Sequence, residues 1–351
     1  MSTSLLDGVR ALGPSIRDLA PDIERDRAVP AAVIEQLTKL GIFRLTAPAA
    51  AGGLEADPAT LVRVFEELGH ADGSTGWCAM IGGATGIALG YLPPATATEL
   101  LADPRFLIAG VAAPTGRATP VDGGFRVSGR WAFASGCRHA TWLVGGALTP
   151  AGPRLFILDP AELTFHDTWH VAGLRGTGSH DFSADAVFVP ESRTFSLAEP
   201  PTQPGALYRF PAVPLLSVGI GAVALGIARA AIADFADLSR SKLNPMTGEP
   251  LATRPAARVA MAEATAAHGA GMAYLLHEVG AAVPVPDMVR LAVITATRNA
   301  ARAVDLVYAA AGGSAVYESS PLQRHFRDVH AATQHAMVSA EVLENIGKAL
   351  L

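Results

Sequence analysis

Apolar residues change their spacing twice along this chain. Up to about residue 108 they recur every three to four positions, as in "VIEQLTKLGIF", "PATLVRVFEELGHA" and "STGWCAMIGGATGIALGYL". That period predicts amphipathic helices, the first two joined through the turn-rich "APAAAGGLEADP". From Phe106 the texture becomes short alternating or wholly apolar runs: "FLIAGVAAP", "GGFRVSGRWAFAS", "TWLVGGAL", "PRLFILDP", "LTFHDTW" and "DFSADAVFVP". Gly, Pro and Asp punctuate them, which predicts the strands of a barrel or sandwich. After the linker-like "PPTQPG" the helical period returns in Ala-rich segments near 211–240, 254–282, 286–314 and 322–349. Helix, then strand, then helix predicts an α+β chain with a β-unit set between helical parts. The expected boundaries are 1–108 for an N-terminal α-helical domain, 109–203 for a middle β-barrel domain and 204–351 for a C-terminal four-helix bundle.

Composition narrows the partners. Of 351 residues 50% are apolar and 17% charged, enough for a large core. A formal charge of −5 with no Lys/Arg block argues against nucleic acid. The stretch from Phe210 to Ala228 carries no charge and approaches spanning length, but it holds two prolines and three glycines. It reads as a buried helix, so no membrane is expected. The N-terminus "MSTSLLDGVRALGPSIRDLA" is charged within ten residues, unlike a secretory signal. Cys78 and Cys137 form neither a CxxC nor a disulfide framework, which suits a reducing, cytoplasmic setting.

Candidate chemistry gathers at two places. The first is "PLQRHFRDVHAATQHAMVSAEV", where His325, His330 and His335 recur at intervals of five. On a helix that interval turns successive imidazoles by roughly 140°, so they cannot converge on one metal, and no HExxH is present. The second is "VSGRWAFASGCRHATWLVGG", in which Trp131, Phe133 and Trp142 surround Ser135. It reads either as a barrel strand with core aromatics or as an aromatic wall with one polar donor for a flat heteroaromatic ligand. Neither GxGxxG, GxxxxGK[ST] nor GxSxG occurs, and "GTGSHD" at 176–181 reads as a glycine-rich turn between strands.

Four segments, in order, resemble the acyl-CoA dehydrogenase fold over about 300 residues. They are "APAAAGGLEADPATLVRVFEELGHADGSTGW", "GGFRVSGRWAFASGCRHATWLVGG", "GLRGTGSHDFSADAVFVPESRTF" and "VYAAAGGSAVYESSPLQRHFRDVHAATQH". The departures point to one branch. Where the dehydrogenases carry a catalytic carboxylate after the "RD" element, this chain has His330 and His335 and no acid before Glu341. The flavin loop is shortened to "AAPTGRATPVDGG", and the adenosine-binding segment is replaced by "SRSKLNPMTGEPLATRPAA". This pattern resembles the flavin-dependent monooxygenases, two-component hydroxylases that take reduced flavin from a separate reductase and use O2 through a flavin C4a-hydroperoxide.

The resemblance implies a reduced-flavin cofactor, with FMN placed ahead of FAD, and a small aromatic or electron-rich substrate. It puts Ser135 against flavin N5, Phe133 on the ring and Trp131 beside it. His335 is the first choice of base to take the substrate proton and His330 the second, with Trp77 and His335 lining the substrate; His325 is expected to be solvated or near phosphate. Arg240, Lys242, Gly312 and Gly313 would reach a neighbouring subunit's flavin in a homotetramer. The pocket stretch after "STGW" is small and apolar, where such hydroxylases often carry another histidine, so the expected substrate is either bulkier and less polar than a simple phenol or not a phenol. Two other readings compete: a dehydrogenase whose base is Glu318 or Glu341, identifiable by bound oxidised FAD, and a non-catalytic oligomeric binding protein, identifiable by failure to bind flavin.

Overall fold

The computed structural model describes residues 2–351. Six helices come first: α1 (Ser2–Asp18), α2 (Ala20–Asp26), α3 (Ala31–Lys39), α4 (Pro58–Ala71), α5 (Gly73–Thr85) and α6 (Pro94–Leu101). Local chemistry starts two of them. The Asp57 carboxylate accepts from the Thr60 N–H at 2.9 Å and the Asp72 carboxylate from the Thr75 N–H at 2.7 Å, satisfying amides that have no partner at a helix start.

Seven strands follow: β1 (Ile108–Val121), β2 (Gly124–Ala134), β3 (Trp142–Thr149), β4 (Gly152–Leu158), β5 (Thr164–His166), β6 (His180–Pro190) and β7 (Thr194–Phe195). They form one mixed sheet in the order β5-β6-β2-β1-β3-β4-β7, antiparallel except for β1 against β3. The expected barrel is therefore corrected: the sheet stays open, with β5 and β7 at its two edges. Its edge strands, three and two residues long, offer too few backbone groups to close it. Alternating strands with turn signals read alike for open and closed sheets, so the sequence pattern could not separate them. On the inner side Trp131 stacks on Phe182 with centroids 4.9 Å apart and donates its indole N–H to the Gly146 carbonyl at 2.7 Å.

Five helices complete the chain: α7 (Ala212–Ser241), α8 (Pro255–Val279), α9 (Pro286–Ala311), α10 (Pro321–Ala332) and α11 (Ala340–Leu350). The expected fourth bundle helix is thus two, broken by a 3-10 turn at Ala336–Val338. The uncharged stretch lies in α7, and 83% of its most apolar window is buried inside the protein, which marks a core helix. Small residues allow that depth. A Cβ on Gly226 of α7 would stand 2.2 Å from the Glu66 carbonyl oxygen of α4, so the two backbones approach more closely than any side chain permits.

Candidate active site

Helix α5 presents one accessible stripe. Ile81 and Thr85 are its only residues that are not fully buried. They follow Trp77 at four-residue steps, on one helix face. The Trp77 indole N–H donates to the Ser135 hydroxyl at 3.1 Å, so α5 is tied to the end of β2.

The pairing of β2 with β6 shifts register between Trp131 and Ala134. Phe133 lies inside that shift with φ +66° and 72% of its surface exposed, in edge-to-face contact with Trp169 at 6.1 Å. An exposed phenyl group on a left-handed backbone is doubly unfavourable unless something covers it. Just beyond the strand, the Ser135 hydroxyl is buried and lies 2.6 Å from the Ser179 hydroxyl. Ser179 in turn lies 2.7 Å from the Thr177 hydroxyl, which donates to the Leu174 carbonyl at 2.8 Å. The thiols of Cys78 and Cys137 flank this row, 3.6 and 3.7 Å from the Thr177 and Gly178 carbonyls. Burial pushes both thiols up, Cys137 to about 11, so they stay protonated and serve as weak donors.

The three histidines separate completely. His325 points inward from α10, against expectation: it is buried, 2.8 Å from the Asp234 carboxylate of α7. His330 faces α9, 2.8 Å from Asp305 and against Phe326, with 40% of its side chain exposed. His335 lies beyond the end of α10. Its Nδ1 accepts the Met337 N–H at 3.2 Å and so caps the Ala336–Val338 turn. Its ring centroid is 5.8 Å from that of Trp77. Burial holds His335 below the ordinary histidine value, so the ring is neutral, and with Nδ1 accepting, the proton sits on Nε2.

A clamp holds this segment in place. The buried Asp328 carboxylate accepts the Leu174 N–H at 2.6 Å, while Arg327 binds the Ala172 carbonyl and Glu24. The segment carrying Thr177 and Ser179 is thereby fixed to the helix that leads to His335.

The structure thus brings together Trp77, Ser135 and His335, with Phe133 on the same strand end. It does not bring Trp131 there, since that ring is enclosed in the sheet core. Arg240 is exposed and pairs with Asp237 at 2.7 Å at the far end of α7. Lys242 donates to the Ala311 carbonyl at 2.7 Å, immediately before Gly312, whose φ of +59° ends α9. Arg240, Lys242, Gly312 and Gly313 therefore share one end of the C-terminal helices. Glu318 and Glu341 are both exposed. Sequence reasoning passed over Thr177, Ser179 and Trp169; hydroxyls are ordinary in a glycine-rich turn, so "GTGSHD" held no signal that set them apart.

These groups fit a flavin. A planar ring system would cover Phe133, and the Ser135 hydroxyl two residues on would offer it a polar partner.

Residues 5–92 match the family model for the acyl-CoA dehydrogenase N-terminal domain, and 218–340 that for the acyl-CoA dehydrogenase C-terminal domain. The chain is 33% identical to the indole-3-acetate monooxygenase of Pseudomonas putida, over 98% of this chain and 91% of that protein. It is 31% identical to the flavin-dependent monooxygenase oxygenase subunit HsaA of Mycobacterium tuberculosis, over 95% and 91%. The HsaA crystal structure matches with a TM-score of 0.91 over 99% of this chain and 97% of that one. XiaF from Streptomyces, solved with FADH2 and glycerol, matches at 26% identity and a TM-score of 0.87 over 99% and 95%.

Proposed function

This chain belongs to the flavin-dependent monooxygenase branch of the acyl-CoA dehydrogenase superfamily, and on that premise we propose that Trp77, Ser135 and His335 form the reacting side of its site. It is an enzyme, a flavin-dependent oxidoreductase of the two-component kind, taking reduced flavin from a separate reductase and acting on small aromatic or electron-rich molecules. Reduced flavin, when bound, supplies the electrons that activate O2. The chain's own residues hold, orient and shield.

Phe133 would pack on the ring system, and Ser135 would face N5. Ile81 and Thr85 form a largely apolar substrate wall, and Trp77 closes it against water. His335 donates from Nε2 to a substrate oxygen. The observation that carries this assignment is the convergence of Trp77, Ser135 and His335 from three separate parts of the chain. Because Nδ1 is committed to the Met337 amide, neutral His335 has no lone pair at Nε2 to act as a base. The substrate is therefore an aromatic presenting an acceptor, such as a phenolic oxygen or a carboxylate. With a flavin reductase, NADH and isotopically labelled O2, phenols and indole acids should yield singly labelled product. Turnover of reduced flavin without label in any product would sink this reading.

The assembly we propose is a homotetramer. Leu243, Met246, Val259, Val283, Val316 and Tyr317 are all large, apolar and exposed, more than a lone chain normally leaves uncovered. Arg240 and Lys242 would then reach a neighbour's flavin phosphate. Arg240→Ala should weaken reduced-flavin binding about tenfold at low salt and less at high salt, read by anaerobic titration. Unchanged affinity would remove Arg240 from the site. Running that titration with both reduced FMN and reduced FAD reads the flavin preference, because the two differ only in the adenylate. Two buried free thiols and a reductase-fed cofactor fit a cytoplasmic location.

A further inference from the structure

We propose that Ser179 and Thr177 are positioning residues that fix the direction of the Ser135 proton and so make the site select reduced over oxidised flavin. The inference rests on the reading that Ser135 faces flavin N5.

Each hydroxyl has one proton to give. Thr177 lies 2.8 Å from the Leu174 carbonyl, which can only accept, so its proton goes there; sent elsewhere, two acceptors would face each other unbridged. Thr177 must then accept in its 2.7 Å contact with Ser179, and Ser179 is the donor. That uses the Ser179 proton. In the 2.6 Å contact between Ser135 and Ser179, Ser135 must therefore donate. Trp77 can only donate, and it does so to Ser135 at 3.1 Å. Ser135 is left with no free proton and one free lone pair.

That lone pair distinguishes the two flavin redox states. Reduced flavin carries a proton on N5 and can donate it to Ser135. Oxidised flavin presents a bare N5 lone pair, which meets the Ser135 lone pair with repulsion. Burial keeps water from bridging the mismatch, which sharpens the distinction. The row is anchored at Leu174, whose carbonyl also takes the Trp169 indole N–H at 3.1 Å and whose N–H is held by Asp328. Its polarity is therefore built into the fold and does not wait for the ligand.

The test is the ratio of dissociation constants for oxidised and reduced forms of one flavin, FAD and then FMN. Wild type should bind the reduced form more tightly. Ser179→Ala frees the Ser135 proton to turn toward oxidised N5, and Thr177→Val lets the row reverse; each should lower the ratio about tenfold. Tenfold corresponds to a bound-flavin midpoint potential about 30 mV lower. Thr177→Ser, which keeps the hydroxyl, should restore the wild-type ratio. Ser179→Ala and Thr177→Val moving both constants equally, or neither, would overturn the inference. Ser135→Ala separates the two layers of argument. If it leaves the ratio at the wild-type value, Ser135 is not at N5 and the site assignment fails; if it changes the ratio while Ser179→Ala and Thr177→Val do not, only the relay fails. Thr177→Val is close to isosteric, so the test survives if Ser179→Ala does not fold.

Discussion

His335→Ala is expected to bind reduced flavin as the wild type does, to form at least tenfold less oxygenated product, and to release the missing electrons as hydrogen peroxide. The flavin contacts assigned to Phe133 and Ser135 are untouched by the change. What disappears is the Nε2 donor beside Trp77. A hydrogen bond that holds a charged substrate oxygen in place is worth roughly 1.5–3 kcal/mol, about one to two decades in productive binding. His335→Gln retains an N–H and should recover part of the product yield. Product and peroxide measured together decide the matter: if His335→Ala oxygenates at the wild-type rate while His330→Ala does not, the wrong imidazole has been chosen. His325→Ala tests something else. It leaves the Asp234 carboxylate without its partner at a half-buried contact, so it should lower the melting temperature instead of uncoupling the reaction.

The largest loss of stability is expected from Gly173→Ala. A Cβ there would stand 2.0 Å from the Arg327 carbonyl oxygen and 2.9 Å from the Asp328 nitrogen. These are helix backbone atoms and cannot swing aside. The 172–174 segment must withdraw, breaking the Leu174–Asp328 hydrogen bond, at a combined cost of roughly 3–5 kcal/mol. Melting temperature and peroxide leakage should both move, because the same clamp positions His335. Asp328→Asn isolates the charge. Burial pushes the Asp328 carboxyl up to about 7, above its unfolded value, so its protonation favours the fold at low pH. That contribution is complete below the unfolded value near 3.8 and is lost as pH rises through about 7. Wild-type stability should therefore decline over that window more steeply than that of Asp328→Asn. Parallel profiles would show that Asp328 does not titrate there.

The helical parts were legible because their period is local. "VIEQLTKLGIF" shows its buried face within a few turns, and the α7 stretch, buried on every side from Ser217 to Ala228, shows itself by its unbroken uncharged run. Closure of the sheet was not legible, since it depends on whether β5 and β7 meet, and neither strand knows the other's length. The strand end at Phe133 and Ser135 stood out through its aromatics. Thr177 and Ser179 did not, because their role exists only once a turn some forty residues away lies against Ser135. The histidines show the same limit: a spacing of five says that they diverge, and the break of the helix before His335 decides where each one goes.

Phe133 has an implication for how this chain would change if its chemistry were no longer selected. Both its left-handed backbone and its 72% exposure work against the isolated fold, and a flavin held as proposed above would cover the ring. A descendant that had abandoned flavin would gain by replacing it, and glycine or asparagine would relieve the backbone at once. Position 133 should therefore be among the first to drift in silent copies of this gene, ahead of the enclosed Trp131 two residues earlier. An aromatic kept at 133 would serve as a marker of retained activity when such copies are sorted.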